Sequence, residues 1–135
     1  DLFVVPNPRY VAPYESVFRD SWSSPAGDGA AIRGLLMGDS SLAVQRCYDE
    51  AGVTPKGELP DHVATELRFM AWLWERQAER ESGDTAAIAQ LRGRFRTDHV
   101  ARWIVELRER VADRDRLGFY AAALRVTEAV IEGDA

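Results

Sequence analysis

The chain has 135 residues, 46% of them hydrophobic and 29% charged, which is enough apolar material for one globular domain and excludes a disordered tail. A net charge of -5 runs against the basic excess of nucleic-acid binders. The single Cys47 cannot close an internal bridge, and with no CxxC pair the chain is read as belonging to a reducing compartment, without zinc finger or iron–sulfur cluster.

The longest nearly apolar stretch, Phe69 to Trp74, falls far short of the ~20 residues of a membrane span, so a soluble protein without direct membrane insertion is expected. The chain opens at Asp1 with no basic, apolar and cleavage-site pattern of a leader, and its abrupt start reads as that of a fragment. The expected organisation is a single all-α domain over residues 1–135. Residues 1–39 form an irregular or short-helix segment packed on a bundle of residues 40–135.

Four of the six prolines (Pro6, Pro8, Pro13, Pro25) and the Ser21–Gly29 run predict irregular chain with at most a short helical turn. Phe3, Tyr10, Tyr14, Phe18 and Trp22 nevertheless predict packing against the body, since disordered segments are poor in aromatics. From about Ser40 a helix is predicted with Leu42, Ala43, Arg46, Cys47 and Glu50 on one face, ending at Gly52. After a loop, Pro60 is expected in the first turn of the next helix, with Asp61 at the positive end of its dipole. Val63, Leu67, Met70, Ala71 and Trp74 predict its buried stripe, which Phe69, Trp72 and Leu73 widen.

A break at Ser82-Gly83-Asp84, with Asp84 or Thr85 as cap, leads to a helix carrying Ile88, Leu91 and Phe95. A bend near Thr97-Asp98 precedes another, marked by Val100, Trp103, Ile104, Leu107 and Val111. The last helix is predicted from about Asp115, with Leu117, Tyr120, Ala121, Leu124, Glu128 and Ile131 on one side. Period-two alternation is nearly confined to Phe3–Val5, so the fold class is an all-α bundle of about five to six helices.

Nucleotide-phosphate loops (GxGxxG, GxxxxGK[ST]), HExxH and GxSxG do not occur, which argues against the commonest catalytic sites. Two Asp-His pairs, Asp61-His62 and Asp98-His99, carry the donor types of a metal site. Adjacent helical residues point about 100° apart, however, so one pair cannot supply two ligands from one face. The competing reading puts each pair at a helix start, satisfying free backbone N–H groups. Acid–base work by Asp61 and His62 lacks a recognisable nucleophile, and Cys47 reads as a small buried residue.

Three ordered blocks carry a further signal. They are Pro13-Tyr14-Glu15-Ser16-Val17-Phe18, then Glu58-Leu59-Pro60-Asp61-His62 followed by Glu66-Leu67-Arg68-Phe69-Met70, and last Phe95-Arg96-Thr97-Asp98-His99-Val100-Ala101-Arg102-Trp103. Together they resemble the PYESVY, E-x-PDH-x-x-x-E-L-x-F-M and F-x-x-x-H-x-x-x-W patterns of the TorD/DmsD/NarJ family of redox-enzyme maturation chaperones, over roughly residues 10 to 110. Phe18 stands where the family often has Tyr.

The resemblance implies a TorD-like, cytoplasmic, non-enzymatic chaperone. Such a protein binds the twin-arginine signal peptide and apo-form of a molybdopterin-containing oxidoreductase subunit until its cofactor is inserted. It also implies that the family's first helices are lacking before Asp1, and a monomer or a domain-swapped dimer.

The residues fit that role. A twin-arginine leader presents two guanidinium groups and an apolar stretch, and so needs carboxylates beside an apolar groove. Glu58 and Asp61 are candidates for pairing with guanidinium, Pro60 fixes the junction and Leu59 lies between. Phe69, Trp72 and Leu73 are candidates for the apolar wall, with buried core the better reading for each one individually. His62 is read as a contact to peptide backbone or a source of pH sensitivity. Tyr14, Glu15 and Ser16 are secondary candidates that can instead pin the N-terminal segment to the bundle, and His99 and Trp103 read as structural.

No catalytic or metal residue and no resident cofactor is assigned. The rivals are a small helical enzyme or a nucleotide-binding protein using Asp61, His62 and His99, with guanine nucleotide the candidate ligand, and a structural subunit of an oxidoreductase complex.

Overall fold

The computed structural model describes residues 2–5, 7–23, 25–27, 29–79 and 85–134. Six α-helices dominate them: α1 (Glu15–Arg19), α2 (Asp39–Glu50), α3 (Val63–Ala78), α4 (Thr85–Phe95), α5 (Ala101–Ala112) and α6 (Phe119–Gly133). A two-stranded antiparallel ribbon, β1 (Ser21–Trp22) with β2 (Ile32–Arg33), pairs Ser21 with Arg33 and Trp22 with Ile32. The all-α fold class stands, with this ribbon as an addition to the irregular segment. The expected extended stretch at Phe3–Val5 is turns and bends instead. Among the described residues no helix is long and apolar enough to cross a membrane.

Two apolar clusters organise the bundle. One joins α2, α3, α4 and the end of α6 through Val44, Tyr48, Phe69, Met70, Leu73 and Phe95, among others. The other joins α5 and α6 to the N-terminal segment through Leu2, Val11, Trp103, Ile104, Leu107 and Leu124. The N-terminal aromatics partly take the packed role expected of them. Phe3 meets Tyr120 edge-on at 5.0 Å and Phe18 meets Trp103 at 5.4 Å, while Trp22 stays half exposed on the ribbon.

Several faces differ from expectation, each for a physical reason. Leu42 is 57% exposed, and α2 instead buries Ser40, Ser41, Val44 and Tyr48. Ser40 turns inward because its backbone N–H and hydroxyl donate to Asp20 at 2.8 and 2.6 Å, a cap for α2 supplied from outside the helix. Helix α2 ends as predicted: Gly52 has φ +68°, and Gly52 N–H to Asp49 O (3.0 Å) and Val53 N–H to Tyr48 O (3.0 Å) close a Schellman motif.

In α3 the buried residues are Thr65, Glu66, Phe69, Met70 and Leu73, while Ala71 is exposed and Val63, Leu67 and Trp74 are half buried. The polar pair Thr65 and Glu66 hides this face from a hydrophobicity pattern. The predicted bend at Thr97-Asp98 is a π-helical segment, Arg96–Val100, that runs α4 into α5 without a loop, so Asp98-His99 is not at a helix start.

The α5 stripe of Trp103, Ile104, Leu107 and Val111 is buried as read. Helix α6 begins only at Phe119 and leaves Leu117 92% exposed, because Asp115 accepts from Leu117 N–H (3.3 Å) and Ala121 N–H (3.1 Å) and holds a turn there. The predicted break at Ser82-Gly83-Asp84 lies outside the described residues.

Candidate functional site

The three blocks singled out in the sequence converge at one place. Pro13 O accepts from Val63 N–H and Asp61 O accepts from Glu15 N–H, both at 2.9 Å, so Tyr14 and His62 form an antiparallel bridge. Helix α3 starts at Val63, which leaves Pro60 and Asp61 before it, and His62 is its N-cap: the ring Nδ1 accepts from Ala64 N–H at 3.1 Å. Pro60 is therefore not in the first turn, and Asp61 does not serve the dipole of α3. Its carboxyl is fully buried and turned onto α1, with Oδ2 accepting from Ser16 N–H (2.9 Å) and Ser16 Oγ–H (2.5 Å). Asp61 thus supplies the N-terminal cap that α1 lacks locally, since Tyr14 makes none with its side chain.

Beneath this bridge lies a buried polar network. Glu15, fully buried, faces the His99 Nδ1 at 3.0 Å and pairs with Arg19 across one turn. The His99 Nε2 lies 3.9 Å from Cys47 Sγ. Burial disfavours the charged ring, but its hydrogen bonds to Cys47 and Glu15 and the charge of Glu15 outweigh it, raising the pKa of His99 to about 9.

Glu66 accepts the indole N–H of Trp103 at 3.0 Å. Burial first, and the neighbouring Glu15 second, push its carboxyl well above the ordinary range. Glu66 Oε1 is buried without a hydrogen-bond partner. Glu15, Ser16, His99 and Trp103 are therefore structural members of one network, which pins the N-terminal segment to α3 and α5. Sequence reading missed Glu66 as a member. Its place in the Glu66-Phe69-Met70-Leu73 row, at spacings of three and four, was the available signal.

The outer surface differs in character. Glu58 is exposed and lies near Tyr14, whose hydroxyl pKa rises through burial and the charge of Glu58. Tyr14 and His62 rings meet edge-on at 5.1 Å. The pKa of His62 is lowered, by burial first and by Arg68, against the opposing pull of Glu58. Leu59 is half buried, its carbonyl accepting from His62 N–H at 3.1 Å, and the Pro60 carbonyl accepts from the Tyr48 hydroxyl at 2.7 Å.

Next to this surface opens a pocket of about 240 Å³ between the 53–56 loop and α3. Val53, Pro55, Phe69 and Trp72 give it apolar walls, and Thr65, Lys56 and Arg68 line it as well. Phe69 belongs to the core, against Tyr48 at 4.7 Å and Phe95 at 4.8 Å, yet reaches the pocket; Leu73 is wholly buried in the core. Trp72 is half buried and stacks on Phe69, with ring centroids 5.9 Å apart and planes within 9°. The structure thus brings Tyr14, Glu58 and His62 together on one surface and turns Asp61 inward. Among the described residues no group of three or more His, Cys, Asp or Glu side chains could hold a metal ion.

Comparison with known proteins agrees with the motif blocks. The family described as "Nitrate reductase delta subunit" matches residues 1–109. "Chaperone protein TorD" of Vibrio cholerae serotype O1 is 28% identical over 138 aligned positions, covering 99% of this chain and 57% of that protein. The "Selenate reductase assembly chaperone protein" of Thauera selenatis is 38% identical over 60 residues, covering 43% of this chain and 31% of the relative. The "Chlorate reductase assembly chaperone protein" of Ideonella dechloratans is 38% identical over 56 residues, 40% of this chain and 29% of the relative. The chain spans little more than half the length of the TorD protein it matches. No solved structure matches it. On the extent of the family match, the chain belongs to the nitrate reductase delta subunit family, the TorD/NarJ group whose motif blocks it carries.

Proposed function

We propose that this chain acts in the cytoplasm as an assembly chaperone for a molybdenum-cofactor oxidoreductase subunit, binding the twin-arginine signal peptide of its apo-form and performing no catalysis itself. The family match and the assembly chaperones among its relatives support the assembly role. The observation that carries the peptide-binding part is the exposed Glu58, beside Tyr14 and two residues along the loop from Lys56, which lines the pocket with apolar walls.

Glu58 offers a carboxylate to a guanidinium, a pairing favoured by two parallel hydrogen bonds. His62 accepts with Nδ1, which leaves Nε2–H as a donor toward a peptide carbonyl. Asp61 acts indirectly, by fixing the loop that carries both.

Calorimetric titration with a twin-arginine signal peptide and its Lys-Lys variant tests this reading. The twin-arginine peptide should bind about tenfold more tightly, the worth of one charge-assisted hydrogen bond. Glu58→Gln should remove that preference without loss of stability. Equal affinity for both peptides, or a preference that survives in Glu58→Gln, would refute it.

A further inference from the structure

We propose that the pocket between the 53–56 loop and α3 recognises a bulky apolar side chain next to a carboxylate in a bound polypeptide, that is, an acidic–aromatic pair. This deepens the peptide-binding reading above and rests on it only for the occupant being a polypeptide.

Size comes first. About 240 Å³ is below the ~300–1,000 Å³ of small-molecule sites, so the pocket accepts one side chain better than a whole cofactor. Shape follows from Trp72 and Phe69, whose parallel rings present a flat apolar wall, with the Arg76 guanidinium 5.4 Å from the Trp72 ring centre. A planar side chain matches such a wall.

Charge then selects the neighbour of that side chain. Lys56 and Arg68 both line the pocket and are exposed, and neither has an ion-pair partner among the described residues. On a chain of net charge -5 this pair of cations is a local exception, and an acidic group finds its attraction here and not over the general surface. Thr65 adds an independent sign of a ligand. It lines the pocket, is only 4% exposed, and its hydroxyl is buried without a hydrogen-bond partner. A buried orphan hydroxyl is costly unless something bonds to it, and a carboxylate or peptide group entering the pocket supplies the partner. The surface accordingly reads its occupant in two signs, a cation at Glu58 and an anion between Lys56 and Arg68.

The test uses the blocked dipeptides acetyl-Asp-Phe-amide and acetyl-Asn-Phe-amide, titrated into the full chain at low salt. The reporter is the indole N–H resonance of Trp72, assigned with Trp72→Phe. The acidic probe should shift that resonance and bind about tenfold more tightly than its neutral isostere. The preference should shrink at high ionic strength and disappear in Arg68→Gln combined with Lys56→Gln. Thr65→Val, close in shape and expected to fold normally, should weaken the acidic probe several-fold.

Equal affinities, no shift of the Trp72 resonance, or a preference surviving the double substitution would each overturn the proposal. Discrimination between the two dipeptides in a chain that ignores a twin-arginine peptide would refute the signal-peptide reading alone. The reverse pattern would refute the pocket assignment alone.

Discussion

Replacing Asp61 by Ala separates a structural role from a binding role. The Asp61 carboxyl is fully buried and takes two hydrogen bonds from Ser16, at 2.9 Å from its N–H and 2.5 Å from its hydroxyl, and Ser16 is itself fully buried. Truncation strands both donors, each costing about 1–3 kcal/mol if it stays dry. The lost cap of α1 is the same N–H bond and is counted once. Water entering the vacated space recovers part of this, so the net loss is about 2–4 kcal/mol.

In urea, with a slope of about 2 kcal/mol/M for a small domain, the unfolding midpoint should fall by about 1–2 M at unchanged slope. A double-mutant cycle with Ser16→Ala should give a coupling of about 1–3 kcal/mol. A loss under about 0.5 kcal/mol, or strict additivity with Ser16→Ala, would refute the capping argument. Glu58→Gln, at an exposed position, should stay within about 0.5 kcal/mol of the parent.

Alkaline pH should weaken the fold through the buried network. The folded pKa of His99, about 9, lies above its ordinary 6.5, and that of Glu66 is also raised, so the folded state holds more protons than the unfolded one and stability falls as pH rises. The His99 contribution is whole below about pH 6.5 and lost as pH passes about 9, which calorimetric melting at pH 6 and 9.5 would register as a lower Tm at the higher pH. Glu66→Gln keeps an acceptor for Trp103 and removes a buried titrating carboxyl whose pKa is raised by burial and by the neighbouring Glu15. Its urea stability at pH 8 should equal or exceed the parent's, and its pH dependence should be flatter. Gly38→Ala should destabilise by about 1–3 kcal/mol, since a Cβ there would lie 2.3 Å from Asp20 Oδ2, the atom that caps α2; a midpoint equal to the parent's would contradict that clash.

Helix α5 was legible because Val100, Trp103, Ile104, Leu107 and Val111 form a clean apolar row on a polar helix. Helix α3 was misread because Glu66 and Thr65, polar residues, sit on its buried face, and no periodicity of hydrophobicity can assign a buried carboxyl. The ribbon was missed because two-residue strands are too short to alternate, and both of them are exposed. At the site, the ordered blocks pointed to residues that meet in space, Tyr14 bridging His62 and Glu15 facing His99. The orientation of Asp61 was invisible because it depends on Ser16, 45 residues earlier. The cations of the pocket escaped notice because Lys56 and Arg68 come together only when the loop closes beside α3.

The π-helical segment at Arg96–Val100 acts as a phase shifter between α4 and α5. Such a segment is in effect one extra residue in an otherwise regular helix. Winding the same residues as a regular α-helix would rotate everything beyond the segment by about 100°, carrying Trp103 away from Glu66 and His99 away from Glu15. The one wide turn therefore sets which side chains of the following helix are aimed at the buried carboxyls.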